Sequence, residues 1–159
     1  MGDTGIRLLG DVAVLDHGEV RHQRSRHQRT LLALLALSGG DSVDADHLID
    51  ESWGDELPRD PRSALTVAMT RLRHWLGDVA PLSGSGGRYT LDIDPRRVDL
   101  LAFLAAAEVA LQGHDPARYD EAVAIWREPV LPEVESPRIA AARAHAEERR
   151  RALAQRSPE

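Results

Sequence analysis

The segment DPRSALTVAMTRLRHWLG, residues 60–77, constrains the fold more than any other stretch, because its start, its stop and both of its faces are legible. Asp60 is a good N-cap, Pro61 is preorganised for the first helical position, and Gly77 follows the last apolar residue as a stop. With about 100° between successive residues, Leu65, Ala68, Met69, Leu72, Trp75 and Leu76 form one apolar stripe. Ser63, Thr66, Val67, Thr70, Arg71 and His74 are left on the opposite side. Such a face is that of an ordinary surface helix, or of one that enters a DNA major groove, where Arg reads guanine and a methyl group meets the thymine methyl.

The surroundings of this helix follow from the same rules. IRLLGDVAVLD near the start reads as one or two short strands, with Val20 seeding another. A first helix is expected over about residues 26–38, closed by Gly39 and Gly40. A second is expected over about 44–53, with Leu48, Ile49 and Trp53 near one face, the acids mainly on the other, and Gly54 as its end. Beyond the third helix, LSGSGGRYTLDI carries a glycine-rich turn from Gly84 to Gly87 and then Tyr89, Leu91 and Ile93 in alternation. A helix followed by a small hairpin is the outline of a winged helix, with Arg88 close to the hairpin tip.

Near residue 97 the composition changes, and Ala and Leu dominate. Three capped helices are expected, over about 98–112, 115–126 and 136–155. Paired helices with short turns suit a tetratricopeptide-like stack. The expected fold is therefore mainly α with small β: a winged helix-turn-helix domain over 1–97, then an all-α segment over 98–159. Because no further helix follows to cover the last one, its apolar side is expected to find a second copy, giving a homodimer.

Charge and composition narrow the function classes. The chain has no cysteine, so disulfides and thiolate metal sites are excluded. The longest apolar run, LLALLAL, is far below the ~20 residues of a membrane span. The N-terminal residues lack the pattern of a secretory signal, so a cytoplasmic address is expected. All 20 basic residues are Arg, suited to forked contacts with phosphates or carboxylates. Residues 1–97 nevertheless hold 12 Arg against 15 Asp and Glu, so DNA binding by this half depends on where the charges sit. Asp44, Asp46, His47, Asp50 and Glu51 lie at spacings that touch on metal binding, but nothing completes a shell, and an acidic helix face is the ordinary outcome. With no phosphate loop and no nucleophile signature, no catalytic residue, metal or cofactor is expected.

The run RHQRSRHQR, residues 21–29, gathers four arginines and two histidines without an acid. It reads either as a phosphate clamp at the start of the first helix or as arginines solvated or paired with the acids of residues 41–56.

The order LI-x-x-x-WG, RLR-x-x-LG, GGRYTL, VDLLAF and IWR resembles the Streptomyces antibiotic regulatory protein family: an OmpR/PhoB-type winged helix followed by the start of a bacterial transcriptional activation domain. The resemblance covers about residues 6–155. It implies a transcription regulator, an activator that binds direct-repeat promoter elements on double-stranded DNA and touches RNA polymerase. It implies base contacts from Thr66, Val67, Thr70 and Arg71, with His74 on the same face. It also implies phosphate contacts from Trp53, Arg62, Ser63, Arg73, Arg88 and Tyr89, with Arg26 and Arg29 as the clamp; for Trp53 a core position is the competing reading. The turn that is often Trp-Arg-Gly in relatives is here Trp126, Arg127, Glu128. The competing function is a helical protein-interaction adaptor whose winged helix has lost useful DNA affinity, which the acidic balance allows.

Overall fold

The computed structural model describes residues 2–156. Three short strands come first, β1 (Gly5–Arg7), β2 (Ala13–Asp16) and β3 (Glu19–His22), forming an antiparallel sheet in that order. Ile6 lies opposite Val14, and Leu15 opposite Val20. The helices α1 (Arg26–Leu37), α2 (Ala45–Trp53) and α3 (Pro61–Leu76) follow, with the two-residue strand β4 (Val43–Asp44) between α1 and α2. The hairpin β5 (Leu82–Ser85) and β6 (Arg88–Leu91) completes the winged helix. Its turn residues Gly86 and Gly87 both take positive φ, the geometry that a two-residue hairpin turn favours. β6 lies between β5 and β4, so the wing is anchored to the body by a strand that the alternation pattern is too short to reveal.

Local signals set these boundaries. Asp44 and Asp60 cap α2 and α3 by accepting backbone N–H bonds, and Gly54 and Gly77 end them at positive φ. α1 is different: Leu31, Leu32, Ala33, Leu34, Leu35 and Ala36 are all buried. Apolar on nearly every side, it serves as the central rod of the core.

After a single 3-10 turn (Pro95–Arg97) the chain enters α4 (Asp99–Gln112), α5 (Pro116–Ile125) and α6 (Pro137–Gln155). Asp115 and Ser136 cap α5 and α6 as expected, but Val98 supplies no capping side chain for α4. α4 lies between α5 and α6.

One expectation about α6 is overturned. Of its apolar face, Ile139 and Ala146 are fully buried within the chain, as is Leu153, and Ala142 is partly buried, because α6 folds back along α4 and reaches α1. An uncovered apolar side is not there to drive a homodimer.

The core is continuous across residue 97. Ile6 of β1 bridges to Val98, Leu9 bridges to Val130, and Leu131 N donates to Leu8 O at 2.9 Å. Between these bridges the buried carboxylate of Asp99 accepts from Leu8 N at 2.7 Å, Leu9 N at 3.2 Å and Leu100 N at 2.7 Å. Arg143 of α6 ties down the loop before it by donating to the carbonyls of Val130, Leu131 and Val134.

Burial pushes the Asp99 carboxyl up to about 6, against the opposing pull of those three N–H groups. The folded chain therefore holds this proton more tightly than the unfolded chain. Its contribution to stability is greatest below about pH 4 and is lost as pH rises to about 6. Denaturant melts between pH 4 and 7 are expected to show this falling slope, and Asp99→Asn is expected to abolish it. Asp99→Ala, which removes the acceptor of three buried N–H groups, is expected to cost on the order of 3 kcal/mol.

Candidate nucleic-acid interface

The third helix presents the face that its periodicity predicts. Leu65, Ala68, Met69, Leu72 and Leu76 are buried, and Thr66, Val67, Thr70, Arg71 and His74 are exposed. Trp75, assigned to the apolar stripe, is only half-buried; the Arg21 guanidinium lies 5.1 Å above its ring. Thr66 Oγ1 donates to Arg62 O at 3.0 Å, and Thr70 Oγ1 donates to Thr66 O at 2.9 Å.

A groove of about 390 Å³ separates α3 from the wing. Arg62, Thr66, Thr70 and Arg73 line it from the helix, and Arg88 and Tyr89 from the hairpin. Arg73 bridges the two by donating from Nε to Leu82 O at 2.7 Å, which sets the angle of the hairpin against the helix. Arg62 meets Asp46 at 2.8 Å. Arg88 stands beside the turn, but its guanidinium bends back to Ser42 Oγ and O and lies 3.7 Å from Asp44. Both ion pairs are exposed and therefore weak, so a phosphate can compete for either arginine. Gly84 lies opposite Tyr89, and a Cβ there would fall 2.8 Å from the Tyr89 ring. The ring therefore lies directly over the glycine.

On the other flank of α3, Trp53 is half-buried and stacks on His27 with ring centroids 4.5 Å apart. Its environment is thus intermediate between core and contact surface. Burial lowers the His27 pKa, because it disfavours the charged ring, and the buried Nε2 meets no hydrogen-bond partner among the described residues. Trp53, Val67 and Arg71 share one shallow pocket there with Ser25 and His27.

The arginine run is divided among three jobs, and one expected phosphate contact changes. Arg29 keeps only 12% of its side chain exposed; it donates to Gln23 O, Arg24 O and Glu133 Oε2. Arg26 stays exposed, 3.9 Å from Glu135. The acids these two face belong to the loop before α6, not to residues 41–56, because that loop folds over the start of α1. Arg29 accordingly leaves the contact set. Ser63 remains exposed, with its N–H and hydroxyl both donating to Asp60. Those two bonds hold the Asp60 carboxyl below its ordinary pKa.

Sequence reasoning missed what holds α3 in place. Arg21 donates to Trp75 O at 2.6 Å and Leu76 O at 3.3 Å, a cation on the carbonyl end of the helix. Gln28 Nε2 donates to Ala68 O at 2.9 Å from the buried side. The first was detectable only as an arginine in a strand, the second only as a polar residue in an apolar helix.

Three helices, a β-ribbon wing and an exposed third-helix face define a winged helix. Residues 19–83 match the family described as "Transcriptional regulatory protein, C terminal". The chain is similar to the transcriptional regulator RedD of Streptomyces coelicolor, 34% identical over 94% of this chain and 47% of RedD. It is similar to the regulatory protein DnrI of Streptomyces peucetius, 27% identical over 81% of this chain and 54% of DnrI. A solved structure of Mycobacterium tuberculosis EmbR, in complex with a low affinity phosphopeptide, superposes with a TM-score of 0.79 at 24% identity, over 94% of this chain and 43% of EmbR. That likeness carries the fold into the helical segment. The chain is thus similar to Streptomyces regulatory proteins, and its residues 19–83 carry the domain of the transcriptional regulatory family. It spans about half the length of the curated relatives it matches.

Gly84→Ala is expected to force the Tyr89 ring off the wing, costing about 1 kcal/mol by overpacking. The check is a thermal melt together with the NMR shifts of the Tyr89 ring, which should move while those of α5 and α6 stay in place.

Proposed function

We propose that the protein is a sequence-specific, DNA-binding transcription regulator that lays α3 in the major groove. The observation that carries the reading is the exposed row Thr66, Val67, Thr70, Arg71 and His74 beside a groove edged by Arg62, Arg73 and Arg88. The row supplies base contacts; the groove edge, with Tyr89, and with Trp53 and Arg26 on the opposite flank, supplies contacts to phosphates on either side. By that similarity, it acts in the cytoplasm as an activator on direct-repeat promoter elements, with the helical segment touching RNA polymerase. Two copies on such a repeat gain affinity from one another, which offsets the acidic balance of each. That pairing is set by the DNA and not by an open face on α6.

The acidic total of residues 1–97 favours the second reading, a helical adaptor without useful DNA affinity. Mobility shifts on genomic fragments at low salt separate the two, since an adaptor retards none of them.

Among the groups of the proposed contact surface, Arg71 has the freest guanidinium. Arg71→Ala is expected to cost about 1–3 kcal/mol on the cognate site and to flatten preference at one base position. Arg62→Ala is expected to weaken cognate and random DNA alike and to reduce the salt slope by roughly one unit. Equal losses on both DNAs for Arg71→Ala would remove it from base reading.

A further inference from the structure

The row on α3 offers fewer hydrogen-bond donors than its residue names imply. Thr66 and Thr70 have each turned their hydroxyl hydrogen onto the carbonyl one helical turn back, at 3.0 and 2.9 Å. Val67 between them has no polar atom and is 50% exposed, one of the few large apolar side chains in this position among the described residues. Thr66 with Thr70, and Val67 with Arg71, are neighbours at i, i+4 spacing, so the four side chains form one contiguous patch. The patch therefore consists of methyl groups, two hydroxyl oxygens that can only accept, and a single guanidinium.

We infer that Thr66, Val67 and Thr70 read the 5-methyl groups of thymines, and that within this four-residue patch Arg71 is the one donor to a base edge. The inference rests on the proposed placement of α3 in the major groove and adds the chemistry by which its face selects sequence. In that groove thymine is the one base that carries a methyl group, so a methyl-rich protein surface discriminates by apolar contact and by the water it expels. The favoured site is a run containing thymine next to a guanine. A Thr hydroxyl used as a base reader would instead have to leave its helix carbonyl or act only as an acceptor.

The test uses the full chain and duplexes selected by it from a random-sequence pool, resynthesised with deoxyuridine in place of thymidine. Loss of one contacted methyl is expected to weaken binding about fourfold, the transfer preference of one such group. Thr66→Val and Thr70→Val, which keep shape and methyl, are expected to retain the roughly fourfold preference for thymidine over deoxyuridine at the corresponding base. Thr66→Ser and Thr70→Ser, which keep only the hydroxyl, are expected to lose about fourfold each and to become insensitive to the uracil exchange at the corresponding base. The residues are exposed, and circular dichroism verifies that each variant is folded. Equal affinity for thymidine and deoxyuridine duplexes, or a thymidine preference kept by the Ser but lost by the Val variants, overturns this inference while leaving DNA binding in place. Failure to select any sequence overturns base reading by α3, and this inference with it.

Discussion

Two successive backbone N–H groups, those of Leu8 and Leu9, lie inside the protein where no strand receives them. Leaving either unpaired would be costly, and the Asp99 carboxylate takes both. That one side chain joins the segment leaving the first sheet to the start of α4. The bridges from Ile6 to Val98 and from Leu9 to Val130 close around it. The winged helix and the helical segment are thus two faces of one core. The expected boundary at residue 97 marks a change in composition and not a break in packing.

The same economy governs the recognition helix, which is held at every point except the face it shows. Asp60 caps its start, Arg21 binds its terminal carbonyls, Gln28 reaches its middle from α1, and Arg73 fastens the wing to its last turns. A helix tethered from behind offers a rigid, preorganised surface, and little ordering entropy remains to be lost on contact. Even the threonines on that surface are internally bonded, which leaves the apolar character of the patch as its chief chemical property.

The arginines show why a cluster in sequence is a poor guide to a cluster in space. Arg21, Arg26 and Arg29 lie within nine residues, yet one serves the end of α3, one stays exposed beside Glu135 and one is locked against Glu133. Their common charge says that each will find an anion or a carbonyl. It does not say whether that partner is a phosphate or a loop more than a hundred residues away.

What the sequence determined by itself were the features set within one helical turn or one hairpin. Asp60, Pro61 and Gly77 bounded α3, its periodicity separated the exposed row from the buried stripe, and the stretch from Gly84 to Gly87 marked the turn of the wing, which the structure narrows to Gly86 and Gly87. Family motifs extended this to the order of the parts. Tertiary structure decided the rest: the burial of α6 against α4, the locking of Arg29 against Glu133, and the role of Arg21. Caps, turns and periodicities act between residues at most a few positions apart, so one short segment contains both cause and effect. A carboxylate that meets Leu8 from position 99, or an arginine that meets position 133 from position 29, has its cause in how the whole chain packs.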